Sequence, residues 1–467
     1  MNGTKVRISE IELYGIKNTR YGKIGMPSFL EKNYQSREAD ILGIYGQNGS
    51  GKTAVIEAME LMQCLMSGKS LPEDAVHYLS EDTKSSQIIV KFCVEFSETT
   101  VLAEYGVTLK RTPKRRLEIA RETLSSSRYN GSKFISKKTL LDYMPSNEGP
   151  IFTPKYRFQE LVKHNDEAFI NLRIARKLSQ KNNQSFLFGS EGRHVFLSGP
   201  ETMALDFSPL IKTLYEYSSY NLFVISNTHS GAIGRDFLLP FAFHRNLAQT
   251  IATGDFYVKM GEPSILGKES FSLLEQIITG MNSVLSAMIP GLTIGIHNFG
   301  EQLKENGSSG YKIQLVSKRG EIIIPLQYES EGIIKIISVL NVLMCVYNQP
   351  FMCLVIDELD SGIYEYLLGE LLLVLEKGAK GQLLFTSHNL RALEMLQKRS
   401  IVFSTTNPDN RYLHLKNSKN NHNLREIYLR SITLGGQKEP IYEETDRVEI
   451  GRAFRRAGKA VIDDLQN

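Results

Sequence analysis

Residues 41–59, ILGIYGQNGSGKTAVIEAM, contain an apolar segment, a glycine-rich turn and a second apolar pattern in succession. Ile41 to Tyr45 predict a short buried strand, and the apolar positions from Ala54 to Met59 predict a helix. The turn between them matches the pattern G-x-x-x-x-G-K-[ST] in the strand–turn–helix setting that this pattern requires. The stretch therefore predicts an α/β fold with a phosphate-binding loop, the alternative being a chance glycine turn before a helix.

The residue types of this turn suit a phosphate group. Glycines leave successive backbone N–H groups able to curl around a phosphate, and the helix N-terminus adds the positive end of its dipole. Lys52 can reach β- and γ-phosphates, and the Thr53 hydroxyl can hold Mg²⁺. We expect nucleotide contacts from the whole turn, which consists of Gly46, Gln47, Asn48, Gly49, Ser50, Gly51, Lys52 and Thr53.

A second informative segment lies far along the chain, where Cys353 to Ile356 predict a buried strand that ends in Asp357 and Glu358. Adjacent carboxylates at the C-terminal end of a strand suit a nucleotide site. Asp357 can complete the shell of Mg²⁺, and Glu358 can orient and deprotonate the attacking water. The alternative is a helix N-cap acid with a charged neighbour.

Another predicted strand, Gln382 to Thr386, ends in Ser387, His388 and Asn389. Most single histidines are structural or solvated, but a strand beside that of Asp357 would turn the His388 imidazole toward a γ-phosphate. Because one magnesium–nucleotide would need both Thr53 and Asp357, we also expect the strands that deliver these two residues to be neighbours.

Together these elements resemble the ABC-type ATPase head. The turn from Gly46 to Thr53 is similar to the Walker A motif of that family, and Cys353 to Glu358 is similar to its Walker B strand. Asp360 lies where the family has its D-loop, and His388 lies where it has the switch histidine. The resemblance implies ATP and Mg²⁺ as ligands, with Glu358 and His388 as catalytic residues.

Ser330-Glu331-Gly332 lies ahead of the Walker B strand and resembles the signature turn of the same family. In that family the turn is presented by a second subunit. The resemblance therefore implies that Ser330 and Gly332 bind a nucleotide in trans, and that a homodimer or larger assembly of this chain encloses two ATP molecules.

The signature turn points to one branch of the family. Ser330 to Lys335 read SEGIIK, which resembles the RecF/SMC/OLD-like branch of AAA-family ATPases more than the transporter form. SMC-like proteins place coiled-coil arms between Walker A and the signature, yet no heptad pattern is visible here. The chain resembles the stand-alone ATPase subunits of bacterial anti-phage systems such as PARIS, Septu and abortive-infection operons. That resemblance implies a separately encoded nuclease or toxin as partner.

We therefore expect an α/β protein with an ABC-type head, in which a mixed sheet with flanking helices is joined by an antiparallel β subdomain. A compact α+β insertion without a long coiled coil would interrupt the head. The expected division is an N-terminal lobe at 1–150, the insertion at 151–320, a C-terminal lobe at 321–405 and a tail at 406–467.

Several elements are predicted outside the motifs. Alternation from Val6 to Tyr14 predicts a strand with a bulge at Ser9-Glu10, where the phase slips. Phe158 to Leu178 and Ser270 to Met288 predict helical segments, and Glu301 to Lys318 predict a hairpin. Gln159 and Gln184 are weak candidates for the family's Q-loop.

Composition is that of a globular protein, with 42% hydrophobic and 23% charged residues. The net charge of +4 argues neither for nor against nucleic acid, so DNA stays open as a partner. The four cysteines show no C-x-x-C spacing, which argues against a disulfide framework or a zinc site. The N-terminus lacks an apolar signal segment and we find no apolar run of membrane-spanning length, so we expect a cytoplasmic protein without membrane contact.

Three polar segments are interpreted first as solvent-exposed surface or loop. The basic residues around Pro113 predict a solvated hairpin tip, with a contact to a phosphate backbone or a partner as the alternative. A tail helix from Val448 to Leu465 carries several arginines and is read as a solvated face, with a partner or DNA contact as the alternative. Asn421-His422-Asn423 lacks the second histidine of an HNH nuclease and is read as a loop.

The expected function is an ATP-hydrolysing switch that dimerises on nucleotide and acts as sensor or regulator in anti-phage defence. The alternatives are a DNA repair or maintenance ATPase of RecF/SMC type, a transporter ATPase subunit, and a nucleotide-gated scaffold that hardly hydrolyses ATP. The long interval before the signature and its Ser-Glu-Gly sequence argue against the transporter.

Overall fold

The computed structural model describes most of the chain. The described residues are 4–35, 37–114, 116–146, 149–163, 166–198, 207–226, 238–247, 250–259, 262–303, 307–414, 424–434, 439–442 and 446–464. The segment 421–423, predicted as a loop, and Arg115 of the basic hairpin tip lie outside them.

The described ranges form the following strands and helices. The strands are β1 (Lys5–Ile16), β2 (Thr19–Gly25), β3 (Asp40–Tyr45), β4 (Ser85–Glu95), β5 (Thr100–Arg111), β6 (Leu117–Tyr129), β7 (Phe134–Tyr143), β8 (Phe152–Thr153), β9 (Leu222–Ile225), β10 (Leu238–Leu247), β11 (Thr250–Lys259), β12 (Ser264–Leu266), β13 (Thr293–Leu303), β14 (Ser309–Arg319), β15 (Ile322–Pro325), β16 (Cys353–Ile356), β17 (Gln382–Ser387), β18 (Ile401–Ser404) and β19 (Tyr412–His414). The helices are α1 (Pro27–Leu30), α2 (Lys52–Met66), α3 (Lys155–Val162), α4 (Asp166–Asn182), α5 (Ser190–Leu197), α6 (Ser208–Tyr220), α7 (Lys268–Met288), α8 (Glu331–Asn348), α9 (Glu365–Gly378), α10 (Leu390–Met395), α11 (Leu424–Leu434) and α12 (Arg447–Asp464).

A six-stranded sheet carries the predicted phosphate-binding strand at its centre. Its order is β19-β18-β3-β17-β16-β9, in which β19 alone pairs antiparallel. Strands β3, β16 and β17 are buried at every position, as continuous apolar runs predict for parallel strands covered on both faces. The strands predicted at 41–45, 353–356 and 382–386 are therefore confirmed.

The expectation that the strands delivering Thr53 and Asp357 are neighbours was wrong. Strand β17 lies between β3 and β16 and pairs with both of them in parallel. Parallel strands need helical crossovers, so their spatial order is independent of their order along the chain. The two residues still reach one site, because both strands end at the same edge of the sheet.

A seven-stranded antiparallel sheet forms the β subdomain, in the order β2-β1-β4-β5-β6-β7-β8. The register of β1 against β4 shifts between Ile8 and Glu10, which confirms the bulge predicted from the phase slip. The basic segment around Pro113 is a hairpin tip between β5 and β6, as predicted. Arg111 is not free there, since its guanidinium donates to the carbonyls of Val76 and Leu79.

Glu122 joins this sheet to the helical segment that follows it. Its side chain is fully buried and accepts hydrogen bonds from the Tyr105 hydroxyl at 2.8 Å, from the Ser185 hydroxyl and from the Phe186 backbone N–H at 2.8 Å. Burial raises the pKa of Glu122, and the hydrogen bonds from Ser185 and Tyr105 oppose that shift only in part.

The segment 151–320 contains helices α3 to α7 and a small sheet in the order β12-β14-β13, and β15, which follows this segment, pairs with β14. Helix α7 and the β13–β14 hairpin confirm the predictions at 270–288 and 301–318. Strand β9 comes from this segment and pairs with β16, so residues 222–225 belong to the six-stranded sheet. The division into four domains otherwise stays a prediction.

Helix α8 is apolar enough and long enough to cross a membrane by length and composition alone, contrary to our expectation that no such run exists. Half of its 18 residues are buried inside the protein, and it packs against α7 and β16. A helix covered on several sides must be apolar around much of its circumference, which explains the composition. Within the described ranges the fold is the expected α/β head with an antiparallel β subdomain and no long coiled coil.

Candidate nucleotide-binding site

A cavity of about 460 Å³ opens at the edge of the sheet where β3 and β16 end. Each of the three predicted motif segments contributes to its wall, which confirms that the chain brings them together. The lining residues are Lys17, Asn18, Asn48, Gly49, Gly51, Lys52, Thr53, Ala54, Asp357, Glu358 and His388.

The Lys52 ammonium is hydrogen-bonded to the loop that carries it. Its ammonium donates hydrogen bonds to the carbonyls of Gly46 at 2.9 Å and Gln47 at 3.0 Å, and the side chain is buried. Desolvation lowers the pKa of Lys52, and the nearby carboxylates, Asp357 foremost, oppose that shift. An arriving phosphate would offer this ammonium stronger, charged acceptors than the two carbonyls.

The glycine turn needs its glycines for two different reasons. Gly49 and Gly51 have φ angles of 79° and 86°, which L side chains rarely adopt. A Cβ on Gly51 would also lie 2.8 Å from the Thr19 hydroxyl oxygen. The loop is further held from the far edge of the sheet, since the Tyr412 hydroxyl donates to the Gly51 carbonyl at 2.6 Å.

Asp357 is buried and has one satisfied and one unsatisfied oxygen. Oδ1 accepts a hydrogen bond of 2.5 Å from the Thr386 hydroxyl, whereas Oδ2 has no hydrogen-bond partner among the described residues. A buried carboxylate oxygen without a donor costs free energy unless a cation or an ordered water satisfies it. Asp357, with the Thr53 hydroxyl on the same cavity wall, therefore fits the oxygen-rich shell of Mg²⁺.

Glu358 follows Asp357 with a strained backbone. Its φ of 46° lies in the left-handed region, which is uncommon for a residue other than glycine. The Thr386 hydroxyl accepts its backbone N–H at 2.8 Å and thereby holds this conformation. Strain that the surroundings fix in place is frequent at functional sites.

His388 begins the segment after β17 and faces the cavity. Its backbone N–H donates to Asp360 Oδ2 at 3.1 Å, which ties the predicted switch histidine to the predicted D-loop. Desolvation and the positive charge of Lys52 lower the pKa of His388, and the neighbouring carboxylates oppose this. A neutral imidazole at pH 7 can accept as well as donate a hydrogen bond.

The predicted signature turn lies outside this cavity. Ser330 is exposed at the N-terminus of α8, and its side chain makes no capping hydrogen bond to that helix. Gly332 packs on the D-loop, because a Cβ at this position would lie 1.9 Å from the Gly362 carbonyl oxygen. The Q-loop candidates also lie elsewhere: Gln159 is exposed on α3, and Gln184 pairs with Ser70.

Sequence reasoning missed three residues of the site. Lys17 and Asn18 line the cavity from the turn between β1 and β2, and the Asn18 amide donates to the Gly49 carbonyl. Thr386 lies under the two acidic residues and contacts both. The Lys-Asn pair in a two-residue turn is common in hairpins, so only its position beside the loop marks it.

Residues 41–394, well over half of the chain, match the family described as "AAA domain, putative AbiEii toxin, Type IV TA system". The chain belongs to this family. The match to this AAA domain family runs from the phosphate-binding strand through the segment after His388, so it includes all three motif segments of the cavity. The resemblance to AAA-family ATPases inferred from the sequence is thereby confirmed.

Comparisons with individual proteins add little to the family match. No curated protein matches the chain. Among solved structures, the Smc head bound to the C-winged helix domain of ScpA is 11% identical with a TM-score of 0.39, covering 88% of this chain and 97% of that one. The SMC head domain from Thermotoga maritima is 13% identical with a TM-score of 0.35, covering 88% and 100%.

The structure of the recombination mediator protein RecF with ATPrS in the RecFOR pathway is 11% identical with a TM-score of 0.37. The match covers 87% of this chain and 98% of the RecF chain. Likenesses of this size identify no ligand or partner of this chain.

Proposed function

We propose that the chain binds ATP with Mg²⁺ in the cavity, hydrolyses it, and uses the cycle to close and open a homodimer. The observation that carries this proposal is that two segments far apart in the sequence meet on one cavity wall. One segment contributes Lys52 and Thr53, and the other contributes Asp357 and Glu358. Membership of an ATPase family supports it.

The residues have distinct roles in this proposal. Backbone N–H groups of the glycine turn cradle the phosphates, and Lys52 leaves its two carbonyls to bind them. Mg²⁺ held by Thr53 and Asp357 would neutralise charge that develops on the β- and γ-phosphates. Glu358 accepts the proton of the attacking water, and His388 orients that water or the γ-phosphate.

We include dimerisation in the proposal because the signature turn lies outside the cavity of its own chain. Ser330 and the N-terminus of α8 lie outside the cavity of their own chain, and Ser330 is exposed, so the N–H groups that a helix leaves unpaired in its first turn are available to a phosphate held by a second copy. Two large aromatic side chains flank this turn and the D-loop, and both are strongly exposed: Tyr328 at 71% and Tyr364 at 69%. Exposed tyrosines are enriched where proteins associate.

Glu358→Gln tests this switch. The variant keeps the shape of the side chain but removes the base, so we expect ATP turnover to fall by about a hundredfold or more while ATP binding persists. Sedimentation should then show a dimer with ATP and a monomer without it. An oligomer distribution that does not respond to ATP would contradict the sandwich.

The biological role that we propose is regulation of a separately encoded nuclease or toxin in anti-phage defence. The description of the family names the AbiEii toxin of a type IV toxin–antitoxin system, so it supports a role in toxin systems and names no separate effector. Copurification with the products of neighbouring genes and phage plating with and without the gene are the tests. A protein that stays alone, and whose deletion leaves plating unchanged, would remove the defence role.

A DNA maintenance ATPase is the second candidate. The observation that favours it is the row of exposed arginines on α12, Arg452, Arg455 and Arg456, because clustered cations suit a phosphate backbone. This candidate predicts that duplex DNA stimulates ATP turnover and that higher salt removes the stimulation. Turnover that is insensitive to DNA would exclude it.

A further inference from the structure

Lys17 brings a second cation to the cavity, and the fold fixes it there. The residue lies in the turn between β1 and β2 with a φ of 49°, outside the range that most side chains favour. Its backbone N–H donates to the Tyr78 carbonyl at 2.7 Å, and its ammonium lies 5.4 Å from the centre of the Tyr78 ring. The side chain is 37% exposed, which is low for a lysine in a turn.

The ammonium of Lys17 is held by a buried carboxylate of the loop helix. Glu57 Oε1 lies 2.5 Å from Lys17 Nζ, and the Glu57 side chain is only 6% exposed. Glu57 lies four residues after Thr53 on α2, so the two residues share a face of that helix one turn apart. The pair therefore links the β1–β2 turn to the helix that begins at the phosphate loop.

Glu57 is costly as a purely structural residue. Its second oxygen, Oε2, is buried without a hydrogen-bond partner in the part of the chain that the structure describes. Burial raises the pKa of Glu57, against the ion pair with Lys17 that lowers it. Buried ion pairs often contribute little net stability, so a half-satisfied one points to a purpose other than stability.

We propose that Lys17 is a second phosphate-binding cation of the site and that Glu57 is the positioning residue that holds its ammonium at the cavity. The proposal rests on the cavity being a nucleotide site. It adds a cation on the side of the phosphate chain that the glycine turn does not cover. Lys17 and Lys52 reach the cavity from separate elements, and they are the two lysines among its described lining residues. Phosphate oxygens between them would be paired from two sides.

Glu57 has a second part in this arrangement. An ammonium neutralised by a carboxylate repels other cations less and costs less to bury than an isolated one. When phosphates arrive, Lys17 can keep its bond to Glu57 Oε1 and donate its remaining N–H groups to them, because an ammonium has three donors. The carboxylate thus prevents the flexible side chain from turning out into solvent.

The test is a calorimetric titration with ATP and Mg²⁺ on Lys17→Ala, Glu57→Gln and the double variant. We expect Lys17→Ala to weaken ATP binding about tenfold, which is 1.4 kcal/mol. Glu57→Gln should weaken it at least threefold, and the double variant should bind no more weakly than Lys17→Ala. Lys17→Arg should restore most of the affinity.

Lys23→Ala is a matched control. Lys23 pairs with Glu10 at 2.8 Å, with side chains 43% and 6% exposed, and also with Glu12 at 3.1 Å, on β2 and away from the cavity. We expect this variant to lose as much thermal stability as Lys17→Ala and to bind ATP like the wild type. Equal ATP affinity in Lys17→Ala and Lys23→Ala would mean that the Lys17–Glu57 ion pair only stabilises the fold, and would overturn the proposal.

Two further outcomes separate the proposal from the function on which it rests. If Lys52→Ala abolishes ATP binding while Lys17→Ala does not change it, the nucleotide site stands and the role of Lys17 is wrong. If the wild type takes up no ATP, the proposed function fails and the role of Lys17 fails with it. Additive losses in the double variant would contradict the positioning role of Glu57.

Discussion

The Thr386 hydroxyl donates a hydrogen bond of 2.5 Å to Asp357 Oδ1, and the Thr386 hydroxyl oxygen accepts the backbone N–H of Glu358 at 2.8 Å. Thr386 lies on β17, which is inserted between the two motif-bearing strands. The intervening strand thus positions both acidic residues, because it orients the carboxylate that we propose for Mg²⁺ together with the strained residue that we propose as the base.

Thr386→Val removes both hydrogen bonds with little change in volume. We expect a loss of about 1–3 kcal/mol in the free energy of unfolding, because a buried carboxylate oxygen loses its donor. Loss of a residue that orients a metal ligand costs roughly 10–100-fold in activity, so ATP turnover should fall and need more Mg²⁺ for half saturation. Thr386→Ser, which keeps the hydroxyl, should recover most of the turnover.

Gly332→Ala tests the contact between the signature turn and the D-loop. A methyl group 1.9 Å from the Gly362 carbonyl oxygen must displace backbone, so we expect a cost of about 1–3 kcal/mol and loss of the ATP-dependent dimer. Gly280→Ala on α7 is the control, because its new Cβ meets only the mobile end of Met344 at 3.2 Å. If Gly332→Ala dimerised like the wild type, the close packing would have no part in assembly.

Glu122 makes stability depend on pH. Its pKa in the folded protein is raised by burial above the value of about 4.3 in an unfolded chain, so the folded state binds the proton more tightly. The contribution is complete below the unfolded pKa and is lost as pH rises through the folded pKa. Glu122→Gln resembles the protonated acid, because its amide can accept from Phe186 and donate to a hydroxyl.

The measurement is the free energy of unfolding in urea from pH 4 upward, within roughly two pH units of the unfolded value. Wild type should lose stability with rising pH relative to Glu122→Gln, whose curve should be flatter. A variant with the same pH slope as the wild type would show that Glu122 does not titrate in that window.

Local patterns made much of the head predictable. The glycine turn, the apolar strand before Asp357 and the strand before His388 each carry their meaning within a few residues, and all three were placed correctly. The bulge near Ser9 was also readable, because a single inserted residue shifts the apolar alternation by one. Such features depend on neighbours in sequence.

The rest depends on contacts that no local pattern reveals. The order of parallel strands is set by helical crossovers, so the pairing of β17 with β3 and that of β9 with β16 could not be predicted, although β17 was expected beside β16. Lys17 gains its position from a turn brought to the loop by the β subdomain, and Glu57 looks like an ordinary polar residue of an amphipathic helix. Both become candidates only when the cavity is seen.

The central claim is that Thr53 and Asp357 converge on one magnesium–nucleotide. Calorimetric titration of ATP into the wild type, Thr53→Ala, Asp357→Asn and the double variant, each with and without Mg²⁺, tests it most directly. We predict that Mg²⁺ strengthens ATP binding by the wild type, that either substitution removes this gain, and that the double variant loses no more than each single one. A wild type that takes up no ATP, or a single variant that keeps the full Mg²⁺ dependence, would contradict the claim.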